Sequence, residues 1–281
     1  MDWKEYENEI HQHFKSEFPN ATILYNVKIE GKFSKIERQI DVLIEDYFLG
    51  NKMRIVIDAK YYSTKIDVKD VESFIGLLND VEAHKGIMIS NEGFSQAAIN
   101  RAHYDITDLE LDILNFKDLK QFQAFGAIPF SGKHGVILPA PFGWIIDGTK
   151  KQNVLATFYQ RGLTLEKSAA NKEWMYVNII SKDKNVLDLD SFLAIEEKEI
   201  KKDFPDCKII YSQTVKRKDE KTLLREILIN TYPTPEYTGF VEFSDFIFLC
   251  VLFSPTELFK KNIKKLEHVI GNVIPLEIEQ S

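Results

Sequence analysis

Cysteine is scarce in this sequence of 281 residues, and its six histidines are not spaced as metal ligands. Cys207 and Cys250 both lie in apolar stretches, so they predict reduced core residues of a cytoplasmic protein. His11 and His13 are two positions apart on a predicted helix, which points their rings away from each other. These shortages exclude a disulfide framework and a zinc site built from cysteine and histidine.

The sequence also lacks a long hydrophobic run and an excess of positive charge. No apolar stretch approaches the roughly 18 residues that a membrane span requires. The opening MDWKEYENEIHQHF is acidic and amphipathic, unlike a signal or transit peptide. Residues 1–130 carry 15 Lys and Arg against 22 Asp and Glu, a net charge of −7. This equals the net charge of the whole chain, so the remaining residues are neutral in sum. A nucleic-acid partner therefore requires intervening cations, and carboxylates that bind divalent ions would supply them.

Residues 1–124 predict an α/β domain. The predicted order is α-β-β-β-α-β-α-β, over residues 2–18, 21–29, 38–46, 53–62, 67–85, 86–90, 95–104 and 109–116. The second and third strands form a hairpin, and a helix between two apolar strands favours a parallel crossover. We therefore expect a mixed sheet flanked by helices.

Glycine and proline concentrate in residues 125–150, which predicts a linker. Apolar strand-like runs follow, with a helix near 190–203 and a terminal helix from about Glu257 to Ile270. Residues 151–281 thus predict a second, α+β domain with a mostly antiparallel sheet and a recognition or regulatory role. Its basic clusters, such as KKNIKK, would hold a DNA backbone if they converge on one side.

Charged side chains interrupt the apolar strand RIVIDAKYY. Asp58 and Lys60 are two positions apart and therefore share one face of the strand, where an ion pair is the simplest interpretation. Asp41, in QIDVLI, lies on the partner strand of the hairpin and can reach the same end of that face. Neighbouring carboxylates repel unless a cation lies between them, and Mg²⁺ binds one or two carboxylates. The set D…D-x-K is thus suited to metal-dependent phosphodiester hydrolysis, with Lys60 stabilising the attacked phosphate.

The segments ERQIDVLI, VIDAKYY, VKDVESFIGLL and HKGIMISNEGFSQAAINRA resemble Mrr-like restriction endonucleases of the PD-(D/E)-x-K nuclease superfamily, over about residues 3–118. The resemblance implies a restriction-endonuclease-like αβββαβ core and Mg²⁺-dependent cleavage of DNA, with Mn²⁺ able to substitute, in restriction or phage defence. It implies metal ligands at Glu7, Asp41 and Asp58, a catalytic Lys60, and a polar Gln39 near the site. Family members usually carry Glu or Gln at the position of Asp58. The aspartate side chain is one methylene shorter than either of these.

Further residues are candidates for substrate contact. Tyr62 is placed to stack on a base or sugar, although strand tyrosines more often cover a core. Ser90, Asn91 and Ser95 precede a helix N-terminus, where a phosphate binds readily, but ordinary capping explains Ser95 equally well. Glu7 is equally well explained as a solvated helix acid.

Other functions and partners stay open. The segment PAPFGWIID, followed by strands and a terminal helix, resembles PsbP/Mog1-like domains, which favours a protein partner or a signal over chemistry. A homodimer is compatible with cutting both strands. The alternatives to a DNA nuclease are an inactive nuclease-fold scaffold, favoured by the acidic charge, and a nuclease acting on RNA.

Overall fold

The computed structural model describes residues 1–48, 51–104, 109–119, 121 and 124–278. Internal contacts divide the chain into two units, Met1–Phe122 and Gln123–Ser281.

The first unit contains a five-stranded sheet in the order β1-β2-β3-β4-β5. Its elements are α1 (Trp3–Glu17), β1 (Thr22–Glu30), β2 (Glu37–Phe48), β3 (Asn51–Lys60), α2 (Val68–Asp80), β4 (Lys85–Ser90), α3 (Gln96–His103), β5 (Glu110–Asn115) and α4 (Phe116–Leu119). Strands β1, β2 and β3 pair antiparallel, whereas β3, β4 and β5 pair parallel. The predicted mixed sheet is therefore confirmed.

Helix α1 begins at a capping box. The Asp2 side chain accepts a hydrogen bond from the Glu5 N–H at 2.9 Å, and the Glu5 carboxylate accepts one from the Asp2 N–H at 3.0 Å. This exchange satisfies amide donors that a helix start leaves unpaired. Tyr6, Ile10 and Phe14 recur at helical spacing and are buried. The capped, amphipathic helix carries Glu7 beside that buried stripe.

Helix α2 ends earlier than the sequence predicts. The predicted helix runs to residue 85, but the helix ends at Asp80 and β4 begins at Lys85. Glu82 adopts a left-handed backbone conformation with φ of 52°. That conformation cannot continue a right-handed helix, so the chain turns there into the sheet.

Close packing of α2 on β4 gives a prediction about Gly86. A Cβ atom there would lie 2.9 Å from Phe74 Cε1 and would also overlap Leu78 Cδ1. Gly86→Val should therefore lower the free energy of unfolding by about 1–3 kcal/mol, as urea denaturation would measure. Gly76 is the matched control, since it lies on the exposed side of α2 and a methyl group added there would meet nothing within 4 Å. Gly76→Ala should raise the free energy of unfolding by about 0.5–1 kcal/mol, and a similar loss in both variants would contradict the packing.

The second unit is built on a seven-stranded sheet in the order β12-β13-β14-β15-β11-β10-β9. Its elements are β6 (Gly126–Ala127), β7 (Phe130–Ser131), β8 (His134–Pro139), β9 (Trp144–Asp147), β10 (Ala156–Gln160), α5 (Leu165–Ala170), β11 (Trp174–Ser181), α6 (Leu189–Asp203), β12 (Lys208–Ser212), β13 (Lys221–Leu228), β14 (Glu236–Glu242), β15 (Phe246–Phe253), α7 (Phe259–Asn272) and β16 (Ile274–Glu277). All neighbouring strands of this sheet pair antiparallel. The α+β class with an antiparallel sheet is therefore confirmed.

Residues 125–150 do not form a linker in the structure. They contain β6 to β9, and Val136, Leu138, Trp144 and Ile146 are buried in the core of the second unit. Glycine and proline here mark tight turns between short strands, because positive φ angles occur at Gly132 (58°) and Gly143 (75°).

The sequence analysis also missed β14, which lies between β13 and β15. Gly239 interrupts its strand pattern, and a Cβ there would lie 2.7 Å from Ile270 Cγ1 of α7. The glycine therefore permits α7 to pack closely on the sheet. In the described ranges, no helix combines the length and the apolarity needed to cross a membrane.

Candidate active site

Asp58 and Lys60 lie side by side at the end of β3. Lys60 Nζ is 2.9 Å from Asp58 Oδ2, and the Lys60 and Asp58 side chains are 24% and 13% exposed, respectively. The same-face geometry of a strand brings them together, as the i, i+2 spacing predicts. The pair is largely shielded from solvent, but both groups retain access to it.

Asp41 joins this pair where two strands separate. The antiparallel pairing of β2 with β3 ends at Val42–Ile57, whereas β3 continues its parallel pairing with β4 to Lys60–Ser90. Beyond the last pair, Asp41 Oδ2 accepts a hydrogen bond from the Ala59 N–H at 2.8 Å. The side chain thus takes the place of a strand partner, which fixes the Asp41 carboxylate next to Asp58.

The electrostatics of the three groups are coupled. Burial, followed by the negative charge of Asp58, raises the pKa of Asp41 to about 7, although the Ala59 hydrogen bond opposes the shift. Burial alone would lower the pKa of Lys60, but the charge and hydrogen bond of Asp58 outweigh it and raise that pKa. Lys60 is therefore a stable cation that neutralises Asp58 and leaves Asp41 insufficiently compensated.

Glu7 approaches the same site from α1. Its pKa is raised by burial and by the charge of Asp58, while a hydrogen bond from Tyr25 opposes the shift. The Tyr25 hydroxyl is 3.4 Å from Glu7 Oε2. The Tyr61 hydroxyl donates to the Met1 carbonyl at 2.6 Å, which ties the start of the chain to the end of β3. Contacts on two sides of α1 thus hold Glu7 near the carboxylates.

These side chains line a cavity of about 400 Å³. It is lined by Glu7, Arg38, Gln39, Asp41, Asp58, Ala59, Lys60, Tyr62, Asp70, Ser73, Phe74 and Leu77. Six of the predicted site residues are among them, while Arg38, Asp70 and Ser73 were missed. Asp70 and Ser73 lie on the same face of α2 as Phe74 and Leu77. Polar residues at the start of an otherwise apolar helix face are visible in the sequence and could have indicated a role in the site.

The other predicted contacts lie outside this cavity and have structural partners. Ser90 is fully buried, and its hydroxyl donates to the Gly93 carbonyl at 3.0 Å. The Asn91 amide brackets the Tyr62 backbone, with distances of 2.8 Å to its carbonyl and 2.9 Å to its N–H. Ser95 Oγ accepts from the Ala98 N–H at 3.2 Å as the cap of α3. Asn91 therefore positions the strand end that carries Tyr62.

The donor set is suited to a hard divalent cation. Asp41 and Asp58 offer carboxylate oxygens in the number that Mg²⁺ usually takes from a protein, with water and phosphate oxygens completing its shell. Burial, followed by the negative charge of Asp58, raises the pKa of Asp41, and a bound cation would favour its ionised form. Across the residues that the structure describes, no cluster of three or more His, Cys, Asp or Glu is positioned to hold a metal ion. Glu7 therefore lies near the two aspartates without completing a three-residue ligand cluster.

Tyr6 is a further residue of the site region, and the sequence analysis gave it no role there. It is 0% exposed, and its hydroxyl has no hydrogen-bond partner within the described part of the chain. Burial and the charge of Asp58 raise its pKa, so the hydroxyl stays protonated. The ring packs on Tyr61 and Phe116, with centroid distances of 5.2 and 4.6 Å.

Tyr6→Phe should therefore raise the free energy of unfolding by about 1 kcal/mol, because it removes an unsatisfied hydroxyl and keeps the ring. Chemical denaturation would measure the change. Tyr25→Phe is the matched control: it removes a hydroxyl that does contact a carboxylate, so no gain is expected. A loss of stability in Tyr6→Phe would contradict the expectation.

Comparisons with known proteins agree with this geometry in the first unit. The Mrr_cat family model, a restriction endonuclease family, matches residues 1–122. No curated protein matches the chain.

Solved structures give more distant similarities. The crystal structure of a protein of unknown function, AF1548, is 18% identical with a TM-score of 0.33, covering 40% of this chain and 58% of its own. This chain therefore spans less than two thirds of that protein. The solution structure of PsbP (CyanoP) from Synechocystis sp. PCC 6803 is 13% identical with a TM-score of 0.36, covering 55% of this chain and 95% of its own. A crystal structure from Bacteroides thetaiotaomicron VPI-5482 is 12% identical with a TM-score of 0.30, covering 54% and 50%.

The family match spans the elements that carry Asp41, Asp58 and Lys60. Over residues 1–122 this chain therefore matches the restriction endonuclease family model and is similar to Mrr-like nucleases.

Proposed function

We propose that the first unit is a metal-dependent endonuclease that hydrolyses DNA phosphodiester bonds in restriction or phage defence. The observation that carries the proposal is the contact between Lys60 and Asp58, 2.9 Å apart, beside the insufficiently compensated Asp41 in a cavity of about 400 Å³. A structural ion pair alone would require no second carboxylate with a raised pKa. The arrangement favours a site built to receive a cation and a phosphate.

Asp41 and Asp58 are the residues that would hold the divalent ion, with Glu7 as a further acid on the same side. Mg²⁺, or Mn²⁺ in its place, would lower the pKa of a bound water and neutralise negative charge at the phosphate. The Ala59 N–H orients Asp41 through its 2.8 Å hydrogen bond. That bond leaves the other carboxylate oxygen of Asp41 available as a ligand.

Lys60 supplies fixed positive charge at the reacting phosphate. Its ammonium is held by Asp58, and its raised pKa keeps it protonated throughout the physiological range. A preorganised cation stabilises the additional negative charge that develops on the phosphate oxygens during attack. In the reaction, a water oxygen forms a bond to phosphorus and one phosphate ester bond breaks. The water loses a proton to solvent, and the leaving oxygen takes a proton from solvent to become a hydroxyl.

Substrate contact is assigned to the polar rim of the cavity. Arg38 and Lys60 are its basic residues, against the acidic Glu7, Asp41, Asp58 and Asp70. Because acids outnumber bases, a bound divalent cation would be required to offset the electrostatic repulsion between the carboxylates and an entering phosphate. Gln39 and Tyr62 also line the cavity, and they are proposed to contact a base or sugar.

The second unit is proposed to recognise DNA, a protein partner or a signal. It is separate from the cavity, since every residue that lines the cavity belongs to Met1–Phe122. A homodimer would place two such cavities on the two strands of one duplex.

Cleavage of supercoiled plasmid in Mg²⁺, Mn²⁺ or EDTA tests the function directly. We expect nicked and linear products with either metal and none with EDTA. Parallel reactions with single-stranded DNA and RNA separate the alternatives. Cleavage of RNA alone would reassign the substrate, and no cleavage of any nucleic acid with either metal would indicate an inactive binding module.

A further inference from the structure

A second and larger cleft lies within the second unit, on one face of its seven-stranded sheet. It has a volume of about 760 Å³ and is bounded by β11, β13, β14 and β15, by α6 and by the loop that follows β13. Ligand sites of small molecules commonly have volumes of about 300–1,000 Å³. The cleft is therefore large enough for a nucleoside or nucleotide.

One wall of the cleft is aromatic. Trp174 and Phe253 are stacked, with a centroid distance of 5.0 Å and an interplanar angle of 16°. Tyr176 lies beside them, 6.2 Å from Phe253. All three are half-buried and line the cleft. These aromatic side chains give the cleft an apolar wall on which a planar ring system can stack.

A buried guanidinium lies at the other end of the row of side chains that begins at this aromatic wall. Strand register aligns Tyr176 with Val251, Val251 with Thr238, and Thr238 with Arg225, so these residues lie in one row on one face. The Arg225 side chain is only 4% exposed. Its Nε has no hydrogen-bond partner among the residues that the structure describes. A buried donor without a partner is costly, so this N–H favours a ligand that carries an acceptor.

Two carboxylates flank Arg225 at distances longer than tight ion pairs. Arg225 Nη1 is 3.5 Å from Glu196 Oε2, and Nη2 is 3.8 Å from Glu236 Oε1. Charge-assisted hydrogen bonds are usually about 2.7–2.9 Å. Because Arg225 already faces two acids, an anionic group has little to gain there. A neutral group that accepts from Arg225 and donates to a carboxylate fits this charge pattern.

We propose that the cleft binds a guanine base, stacked on Trp174 and read by Arg225 and Glu236. Guanine presents an acceptor, O6, next to two donors, N1–H and the N2 amine, on one edge. Arg225 donates to O6, and the Glu236 carboxylate accepts from the two donors, as arginine and carboxylates do when they read base edges. The base belongs either to a free nucleotide or to a single-stranded nucleic acid. This site is independent of the proposed nuclease, which lies in the other unit.

Isothermal titration calorimetry of the full chain in EDTA tests the proposal without any cleavage. Guanosine and GMP should bind, inosine should bind more weakly because it lacks the N2 amine, and adenosine and cytidine should lose about tenfold or more in affinity. An oligothymidylate with one internal guanine, compared with oligothymidylate alone, tests the polymeric source. Binding of GMP without the guanine oligonucleotide assigns a free nucleotide, and binding of that oligonucleotide without GMP assigns a single strand.

Variants of residues that line the cleft test whether guanosine binds there. Glu236→Gln should weaken guanosine binding about tenfold, since an amide offers one acceptor in place of two, and Trp174→Leu should weaken it by removing the stacking surface. Ile195→Ala is the control, because Ile195 is 41% exposed on the same helix, α6, and does not line the cleft. Thermal melting shows whether each variant is folded. If Glu236→Gln or Trp174→Leu does not fold, Tyr232→Ala is measured in its place, because Tyr232 is an exposed residue that lines the cleft. No binding of any guanine compound, equal affinity for all four nucleosides, or unchanged affinity in Glu236→Gln would overturn the proposal.

Discussion

Lys60→Ala and Asp58→Ala are each expected to reduce metal-dependent cleavage of supercoiled plasmid about a hundred- to a thousandfold or more, since the first removes the cation at the reacting phosphate and the second removes a proposed metal ligand. Lys60 is the lysine that lines the cavity, and Asp58 is both its ion-pair partner and a proposed metal ligand. Initial rates of nicking at saturating Mg²⁺ would measure the loss. The double variant should be little worse than either single variant, because the two residues act as a unit.

Lys28→Ala is the matched control for this experiment. Lys28 also pairs with an acid at 2.9 Å, Glu37, but both side chains are more than 60% exposed on the surface of the same sheet. Its removal should leave the cleavage rate nearly unchanged, since exposed ion pairs contribute little. Full activity in Lys60→Ala, with an unchanged melting temperature, would contradict a catalytic role for the Asp58–Lys60 pair.

Asp41→Asn should stabilise the protein at pH 8 in the absence of divalent ions. The folded-state pKa of Asp41 is about 7, against an ordinary value of 3.8. Ionising Asp41 is therefore harder in the folded state, and the resulting penalty is absent below about pH 4, grows as the pH rises, and is complete above pH 7. A shift of about three pKa units corresponds to an upper limit of about 4 kcal/mol, and we expect about 2 kcal/mol because Asp41 is only half-buried and solvent screens its charge.

The stabilisation should shrink towards zero as the pH falls to 4, which urea denaturation at several pH values would show. Adding Mg²⁺ should stabilise the wild type at pH 8 and much less at pH 5, where Asp41 is protonated, because an ion that binds only the folded state raises its stability. Glu30→Gln, at an exposed residue of β1, should not stabilise the protein at pH 8 and should keep the wild-type response to Mg²⁺. A destabilised Asp41→Asn at pH 8, or an equal gain at pH 5 and pH 8, would contradict the assignment of uncompensated charge at Asp41.

Much of the nuclease-like unit follows from local sequence features. The i, i+2 spacing of Asp58 and Lys60 in an apolar strand predicts their contact, which the structure places at 2.9 Å. Apolar periodicity predicts the mixed sheet, because a strand–helix–strand unit imposes parallel pairing on β3, β4 and β5. Alternation and helical spacing act over a few residues, so one sequence is sufficient to detect them.

Local sequence patterns did not predict features that depend on contacts between distant parts of the chain. The end of α2 at Asp80 depends on a left-handed Glu82, which apolar periodicity does not reveal. The glycine- and proline-rich residues 125–150 form strands only because their short apolar runs are buried in the core of the second unit. Propensity alone assigns such a segment to a loop, since its strands are stabilised by tertiary burial.

The sequence by itself determined the class of both units and the D…D-x-K set, because both depend on composition or on short spacing. The tertiary structure alone decided that Asp41 is held by the Ala59 N–H and that Asp70 of α2 lines the same cavity. It likewise placed Arg225 opposite an aromatic wall in the second unit, through a strand register that joins β11, β15, β14 and β13. These sites consist of contacts between residues far apart in the chain, and pairing and packing of whole elements specify such contacts.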